Sequence, residues 1–215
     1  MIIVLAEGRT EYDFIKQLFL PYFARHEIQV KTTIVKTGRA SYRGGVSKYK
    51  FIRDHLLDLI NSKNLVTMMF DLLGFPSDIP GFSNNQSTSD PLEKAINIES
   101  ALLDDLNFPN FIPNLIVHEF ESLLFSDLQK FSGIFNDSSV RNLIKQYSNF
   151  KTPEYVNHNK KPSVRIEKAC STYDKAVHGS QLAKNISLNI IRQECQHFNN
   201  WLTKLENYNE VNVNK

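Results

Sequence analysis

The first 126 residues alternate between short apolar runs and amphipathic segments, and this alternation constrains the fold more than any other feature of the sequence. Runs such as 2–6 and 65–70 are almost continuously apolar, as expected of strands buried on both faces. In chain order we predict strands at 2–6, 29–36, 65–70 and 112–118 and helices at 11–24, 47–61, 92–106 and 119–126. The pattern predicts an α/β fold, a mostly parallel sheet flanked by helices, with right-handed crossovers and helices on both faces.

The chain beyond residue 128 is helical in character. Helices are predicted at 140–147, 161–170, 181–195 and 197–208, with a loop at 173–179. Because we find no internal repeat and no second domain, we expect a single domain over 1–215, in which an α/β core (1–128) carries a helical C-terminal extension (129–210). Phe198 and Trp201 are large apolar residues that either anchor a partner interface or pack onto the sheet.

The composition is that of an ordinary globular protein. The 215 residues are 41% hydrophobic and carry a net charge of +2, so global charge indicates no partner. Two cysteines without a metal-ligand pattern indicate a reducing compartment and no disulfide framework. The apolar start is too short for a signal peptide, and no run approaches the roughly 18–20 apolar residues that span a bilayer. We therefore expect a cytoplasmic protein without membrane association.

Acidic residues follow three of the predicted strands. Glu7 follows 2–6, Asp71 follows 65–70, and Glu119 and Glu121 follow the apolar run 115–117. The carboxyl ends of parallel strands share one edge of the sheet, where ligands of open α/β sheets bind. We therefore expect these carboxylates to point into one cleft.

Converging carboxylates favour a bound cation, because buried carboxylates are costly unless they are paired or bind a metal. Mg²⁺ or Mn²⁺, held by these acids, can polarise a phosphodiester and activate water. We predict Glu7, Asp71, Glu119 and Glu121 as metal ligands and catalytic residues. The alternative is that the acids favour a helix N-terminus, and His118 is then a satisfied core histidine.

Basic residues suited to a nucleic-acid backbone lie outside these strand ends. The loop 37–50 combines basic residues, glycines and tyrosines, which suits phosphate contacts and base stacking. The alternative for 37–50 is a solvated loop without specific contacts. The alternative for 173–179 is a loop that only precedes a helix. The predicted nucleic-acid-binding residues are Arg39, Arg43, Lys48, Lys50, Arg165, Lys175 and His178.

Four segments of the chain carry a resemblance to a known family. AEGRTEYDF, FDLLGFPSDIPGF, FIPNLIVHEFESLLF and YDKAVHG resemble a bacterial Toprim-like family, and the similarity covers nearly the whole chain. Toprim domains occur in topoisomerases, primases and nucleases of the overcoming-lysogenization-defect type. The resemblance implies a Mg²⁺-dependent nuclease, with Glu7 matching the Toprim glutamate and Asp71 the first acid of the Asp-x-Asp motif.

The same resemblance implies a partner and leaves one departure. Members of such families are often encoded beside P-loop ATPases in antiphage defence loci, so we expect an ATPase-controlled effector that cleaves DNA or RNA, including tRNA. Leu73 replaces the second acid of the motif, so Glu119 or Glu121 supplies that ligand, or metal binding is weakened. The alternatives are a catalytically degenerate subunit that binds nucleic acid or nucleotide and regulates the ATPase, and a small-molecule phosphatase.

Overall fold

The computed structural model describes residues 1–36, 46–60, 64–147, 149–156 and 160–213, with side chains as far as residue 208. Its sheet has the strand order β2-β1-β3-β4, and β5 also pairs with β3. Every strand pairing in this described part is parallel, so the predicted α/β class with a mostly parallel sheet is confirmed. The strands are β1 (Ile2–Ala6), β2 (Val30–Ile34), β3 (Leu65–Asp71), β4 (Phe111–Ile112) and β5 (Leu115–Ile116).

Helices cover both faces of this sheet. They are α1 (Arg9–Phe14), α2 (Leu20–Ala24), α3 (Tyr49–Ile60), α4 (Pro91–Leu106), α5 (Asp137–Tyr147), α6 (Pro162–Ala169), α7 (Lys175–Ile186), α8 (Leu188–Glu194) and α9 (Gln196–Val213). A π-helical turn, Ile15–Phe19, joins α1 to α2. One apolar core lies between the sheet and α3 and α4, and the other lies between the sheet and α1, α7, α8 and α9. None of the helices in the described ranges has both the length and the apolar composition needed to cross a bilayer.

The first helix begins two residues earlier than predicted. Gly8 precedes α1, and Glu11 stands at the third helical position. The Gly8 backbone N–H donates to Glu11 Oε2 at 3.0 Å, which satisfies one of the free N–H groups at the helix start. Asp13 pairs with Arg9 at 2.6 Å. This earlier start matters for the site, because it turns Glu11 towards the strand end.

The strand predicted at 112–118 is two short strands, and the helix predicted at 119–126 is a 3₁₀-helix, Phe120–Ser126. Pro113 separates β4 from β5, because proline has no N–H to donate to the ladder. β4 pairs with the middle of β3, at Val66 and Thr67, whereas β5 pairs with its end, at Phe70 and Asp71. The chain after β5 therefore leaves the sheet directly beside Asp71.

The C-terminal helices also differ from the prediction. Segment 173–179 is no loop, because α7 begins at Lys175, with Asp174 Oδ1 accepting from the Val177 N–H at 3.1 Å. A break at Ser187, where φ is 84°, divides the helix predicted at 181–195. Phe198 and Trp201 are 1% and 3% exposed, and Trp201 Nε1 donates to Thr67 Oγ1 at 2.8 Å. Both residues pack onto the sheet, which is the second of the two alternatives that the sequence left open.

Candidate active site

Glu7 and Asp71 lie side by side at the carboxyl edge of the sheet. Glu7 follows the last residue of β1, and Asp71 ends β3, its parallel neighbour. The Glu7 N–H donates to Met69 O at 3.1 Å, and the Asp71 N–H donates to Glu7 Oε2 at 2.9 Å. The parallel register thus places both acids at one point, as the alternating sequence pattern predicted.

Lys175 lies among these acids. Its Nζ is 3.2 Å from Asp71 Oδ2, 3.2 Å from Glu121 Oε2 and 3.7 Å from Glu11 Oε1. Asp71 Oδ2 and Glu121 Oε2 are therefore no farther apart than twice 3.2 Å, and the Lys175 ammonium bridges them. The structure brings together Glu7, Asp71 and Glu121, and adds Glu11 and Lys175 to the cluster.

Backbone contacts fix the orientation of Asp71. Its Oδ1 accepts from the Phe120 N–H at 2.7 Å, and its Oδ2 faces Lys175. The strand end at Asp71 is thereby tied to the segment that carries Glu121. The Phe120 N–H thus holds Asp71 through Oδ1, and Oδ2 accepts from the Lys175 ammonium inside the cluster.

Burial shifts the pKa values of the cluster. Burial raises the pKa of Glu7 to about 7, an effect that the Asp71 N–H partly offsets. Burial also raises the pKa of Asp71 well above its usual range and raises that of Glu121, while Lys175 opposes both shifts. Burial alone would lower the pKa of Lys175, but Asp71, Glu121 and Glu11 raise it, so its ammonium stays charged. Glu7 is therefore able to exchange a proton near neutral pH.

Glu119 serves a different purpose from Glu121. Its Oε1 accepts from the Ser163 N–H at 2.6 Å, in the first turn of α6. A carboxylate is favourable there, because the N–H groups at a helix start are unpaired and the helix dipole is positive. Of the two acids that could replace the one missing at position 73, the geometry favours Glu121.

His118 lies beside the cluster and is buried. Burial lowers the pKa of His118 to about 4, so the ring is neutral at physiological pH. Its Nε2 has no hydrogen-bond partner among the described residues, and its φ is 67°. The His118 carbonyl accepts from the Leu73 N–H at 2.6 Å, which ties position 73 to the same segment. The contact is structural and gives the imidazole no role with the acids.

The other basic candidates have neighbours of their own. Lys48 is exposed, and Lys50 pairs with Asp54 at 2.8 Å on the surface of α3. The Arg165 guanidinium lies 4.7 Å from the centre of the Phe150 ring, and His178 Nδ1 accepts from the Asp174 N–H at 2.9 Å. Arg39 and Arg43 lie outside the described residues.

Sequence reasoning did not assign Glu11 and Lys175 to the acid cluster. Glu11 reads from the sequence as a solvated or helix-start charge, and its position one helical turn after Glu7 is the signal that could have placed it in the cluster. The sequence predicts Lys175 as a phosphate-binding residue. Asp174, directly before it, is a typical helix-start residue and indicates that a helix begins at Lys175. A third residue, Tyr173, was not singled out, and its hydroxyl donates to Glu121 Oε1 at 3.2 Å.

The donor chemistry of the cluster fits a hard divalent cation. All four acids offer carboxylate oxygens, the donors that Mg²⁺ and Mn²⁺ prefer. Within the described ranges, however, no three acidic, histidine or cysteine side chains are arranged as a preformed metal site. The Lys175 ammonium supplies positive charge to the acids instead. Glu7, Asp71 and Glu121 carry the carboxylate oxygens that would hold a cation.

Comparison with known proteins identifies one family. The profile of a family described as a domain of unknown function, DUF4276, matches residues 6–206, which include every residue of the acid cluster. No curated protein and no solved structure matches the chain. Because the match covers most of the sequence, this chain belongs to the DUF4276 family.

Proposed function

We propose that this protein is a Mg²⁺-dependent nuclease that hydrolyses phosphodiesters of DNA or RNA. The observation that carries the proposal is the convergence of Glu7, Glu11, Asp71 and Glu121 around Lys175 at the carboxyl edge of a parallel sheet. The Toprim resemblance of the segments that carry these residues supports the same reaction class. A bound Mg²⁺ would polarise the phosphodiester and lower the pKa of an attacking water.

The chain's own residues have distinct roles in this proposal. Glu7, with a pKa of about 7, accepts the proton of the attacking water and releases it to solvent or to the leaving oxygen. Asp71 and Glu121 would hold the cation, and hydrogen bonds from the Phe120 N–H and the Tyr173 OH orient their carboxylates. Lys175 stays protonated and donates to a non-bridging phosphate oxygen, where negative charge develops.

The substrate and the partner follow from local chemistry and from the resemblance. The phosphate backbone would be contacted by Arg165 and by the basic residues of 37–50, which include Lys48. The resemblance supplies a P-loop ATPase as a controlling partner in a cytoplasmic antiphage defence system. A nuclease under such control is expected to be weak or inactive alone and active when the ATPase binds or releases it.

One observation favours a second candidate function. The Lys175 ammonium already balances the buried carboxylates, and Leu73 stands where the Toprim motif has its second acid. A cluster that is neutralised internally can hold the fold without a metal. The second candidate is therefore a degenerate Toprim-like subunit that binds nucleic acid or nucleotide and regulates the ATPase.

The test compares cleavage of plasmid, linear DNA and tRNA with Mg²⁺ or Mn²⁺, with and without the ATPase encoded alongside. We expect Glu7→Gln and Asp71→Asn each to lose at least about 100-fold in cleavage rate, the usual contribution of an acid–base or metal-binding group. Glu119→Gln is the matched control, because it removes a neighbouring carboxylate whose hydrogen bond is to the start of α6 and not to the cluster. Its cleavage rate should stay within a few-fold of the wild type.

Each possible result decides between the two candidates. Cleavage that survives both Glu7→Gln and Asp71→Asn would refute the proposed site. No cleavage with any substrate or partner, combined with intact binding of nucleic acid, would favour the regulatory subunit. Loss of cleavage in Glu119→Gln as large as that in Asp71→Asn would restore Glu119 as a site residue.

A further inference from the structure

A cavity of about 420 Å³ lies between the end of α5 and α6. It is lined by Gln146, Asn149, Phe150 and Arg165, none of which belongs to the acid cluster. This volume is within the range of about 300–1,000 Å³ that is typical of small-molecule sites. The lining combines one aromatic ring, one cation and two side-chain amides. It therefore suits a planar ligand with both hydrogen-bond donors and acceptors, and its cation disfavours a metal ion.

The lining is held in place before any ligand arrives. Arg165 is 8% exposed, and its Nε donates to Lys160 O at 3.2 Å. Its guanidinium carbon lies 4.7 Å from the centre of the Phe150 ring. Gln146 Nε2 donates to Asn142 Oδ1 at 3.3 Å, which orients the amide at the end of α5. A preorganised lining lowers the entropy cost of binding a ligand.

The part of the chain that forms the cavity is basic. Residues 141–168, which include the four lining residues, contain seven lysines and arginines but two acids. Lys151, Lys160 and Lys161 are exposed. Glu154, one of the two acids, is buried and accepts from backbone N–H groups at the start of α9. The local excess of positive charge attracts a polyanion to the surface around the cavity.

The start of α6 joins this cavity to the acid cluster. The Ser163 N–H, two residues before Arg165, donates to Glu119 Oε1 at 2.6 Å. Glu119 is followed by Phe120, whose N–H donates to Asp71 Oδ1 at 2.7 Å. Two short hydrogen bonds and a few residues of chain thus link the cavity to the candidate active site. A strand with one nucleotide in the cavity can reach the cluster within the length of a short oligonucleotide.

We propose that this cavity binds one unstacked nucleotide of a single-stranded nucleic acid, so that the substrate is single-stranded DNA or RNA or a single-stranded loop. The bases of a duplex are stacked and paired, and they reach such a cavity only when they are unpaired or flipped out. Phe150 stacks on the base, and the amides of Gln146 and Asn149 bond its edge. Arg165 donates to the adjoining phosphate. The inference deepens the proposed function and rests on it, because it names the substrate class.

The experiment measures binding in EDTA, so that no cleavage occurs and no metal is required. Fluorescence anisotropy follows a labelled single-stranded oligonucleotide, its duplex, and the same single strand with abasic positions. Phe150→Leu should weaken binding of the intact single strand at least about fivefold, because it keeps an apolar side chain but loses base stacking on the ring. Binding of the duplex and the abasic strand should be unchanged. The salt dependence should also equal that of the wild type, because no phosphate contact is removed.

Phe82→Leu is the matched control. Lys94 Nζ lies 5.2 Å from the centre of the Phe82 ring, so this variant removes the ring of a similar ring–cation pair outside the cavity. It should bind all three nucleic acids as the wild type does. Should Phe150→Leu fail to fold, Asn149→Ala changes an exposed residue of the same lining. That variant should weaken the intact single strand about two- to tenfold, the factor of one neutral hydrogen bond, without weakening the abasic strand.

Several outcomes would overturn the inference. Wild-type protein that binds the intact and the abasic strand equally well reads only the backbone, and the cavity then holds no base. Equal weakening of all three nucleic acids in Phe150→Leu would give the ring a structural role alone. A free mononucleotide that competes as well as the strand would make a free nucleotide the occupant, and polyglutamate that competes as well would show that the surface selects only negative charge.

Failure of this inference is distinguishable from failure of the proposed function. Cleavage with Mg²⁺ combined with base-independent binding would refute the cavity and leave the nuclease. Base-dependent binding that Phe150→Leu weakens, without cleavage under any condition, would support the cavity and refute the nuclease.

Discussion

Replacing Lys175 by methionine tests how the acid cluster is stabilised. Methionine keeps most of the length of the side chain and removes the charge that faces Asp71 and Glu121 at 3.2 Å. Removing one partner of a buried ion pair costs about 3–5 kcal/mol, because the other partner keeps its buried charge. The Lys175 side chain is 37% exposed, so water screens part of the interaction. We therefore expect the free energy of unfolding to fall by about 2–3 kcal/mol at about pH 8.

This loss should depend on pH in a defined direction. Burial raises the pKa values of Asp71 and Glu121 in the folded protein, and removal of Lys175 would raise them further. Between the ordinary and the raised pKa values the folded state binds more protons than the unfolded state, so stability falls as pH rises. The deficit of Lys175→Met should therefore be smallest at low pH, where more of the Asp71 and Glu121 carboxyls are protonated, and should grow as pH rises.

Urea unfolding of the wild type and Lys175→Met at several pH values measures this dependence. Lys50→Met is the control, because Lys50 forms an ion pair with Asp54 at 2.8 Å while its side chain is 76% exposed. That control should lose no more than about 0.5 kcal/mol. Adding Glu121→Gln to Lys175→Met should restore part of the lost free energy of unfolding, because it removes a buried carboxylate charge that has no partner without Lys175. An equal deficit at every pH, or one no larger than that of Lys50→Met, would refute the reasoning.

Two further predictions concern buried contacts of α9, one with α4 and one with the sheet. His197 Nε2 lies 2.9 Å from Glu99 Oε1. Burial alone would lower the pKa of His197, but the Glu99 carboxylate more than offsets this effect, so the pKa of His197 is raised. The stability from this pair is present below the ordinary histidine pKa and is lost as pH rises through the raised value. Glu99→Gln should therefore flatten the decline of the melting temperature as pH rises above the ordinary histidine pKa of about 6.5, and an unchanged slope would exclude the pair as its source. Trp201→Phe removes the hydrogen bond to Thr67 and leaves a space, so chemical denaturation should show a loss of about 1–3 kcal/mol. Thr67→Val should lower the free energy of unfolding less in the Trp201→Phe background than in the wild type. Fully additive losses would argue against the hydrogen bond between the two side chains.

The sequence predicted the sheet well because its central strands are buried on both faces. β1 and β3 consist of nearly unbroken apolar residues, and such runs have few alternative structures when helices lie between them. Their parallel pairing then places Glu7 beside Asp71 without further information. This part of the site follows from local pattern and a topological rule alone.

The elements around β5 could not be predicted as well. The apolar residues of 111–125 fit a strand, an α-helix or a 3₁₀-helix, and periodicity does not separate these over a few residues. The interruption at Pro113 could be inferred from its missing N–H, but the tertiary fit of Phe120–Ser126 could not. Lys175 was harder still, because it lies 104 residues from Asp71 and local sequence does not indicate which distant acids it meets.

Glu119 and Glu121 show why the choice between two nearby acids needed the structure. Glu119 has an extended backbone and Glu121 lies in the 3₁₀-helix, so their side chains leave the chain in different directions although only one residue separates them. Which of the two enters the site depends on where α6 begins, because the Ser163 N–H at the start of that helix donates to Glu119. Glu121 remains for Lys175 and Asp71.

The departure at position 73 has a physical account on the same basis. Leu73 is tied to the carbonyl of His118, so its segment runs directly beside the one that carries Glu121. An acid brought in by that neighbouring segment can supply the ligand that an Asp-x-Asp motif would place at 73. Leu73 alone is therefore no argument against a metal site, and Leu73→Asp should add little Mn²⁺ affinity while Glu121 is present. In Glu121→Gln, by contrast, Leu73→Asp should restore part of the Mn²⁺ affinity that was lost, and no restoration would mean that position 73 does not face the site.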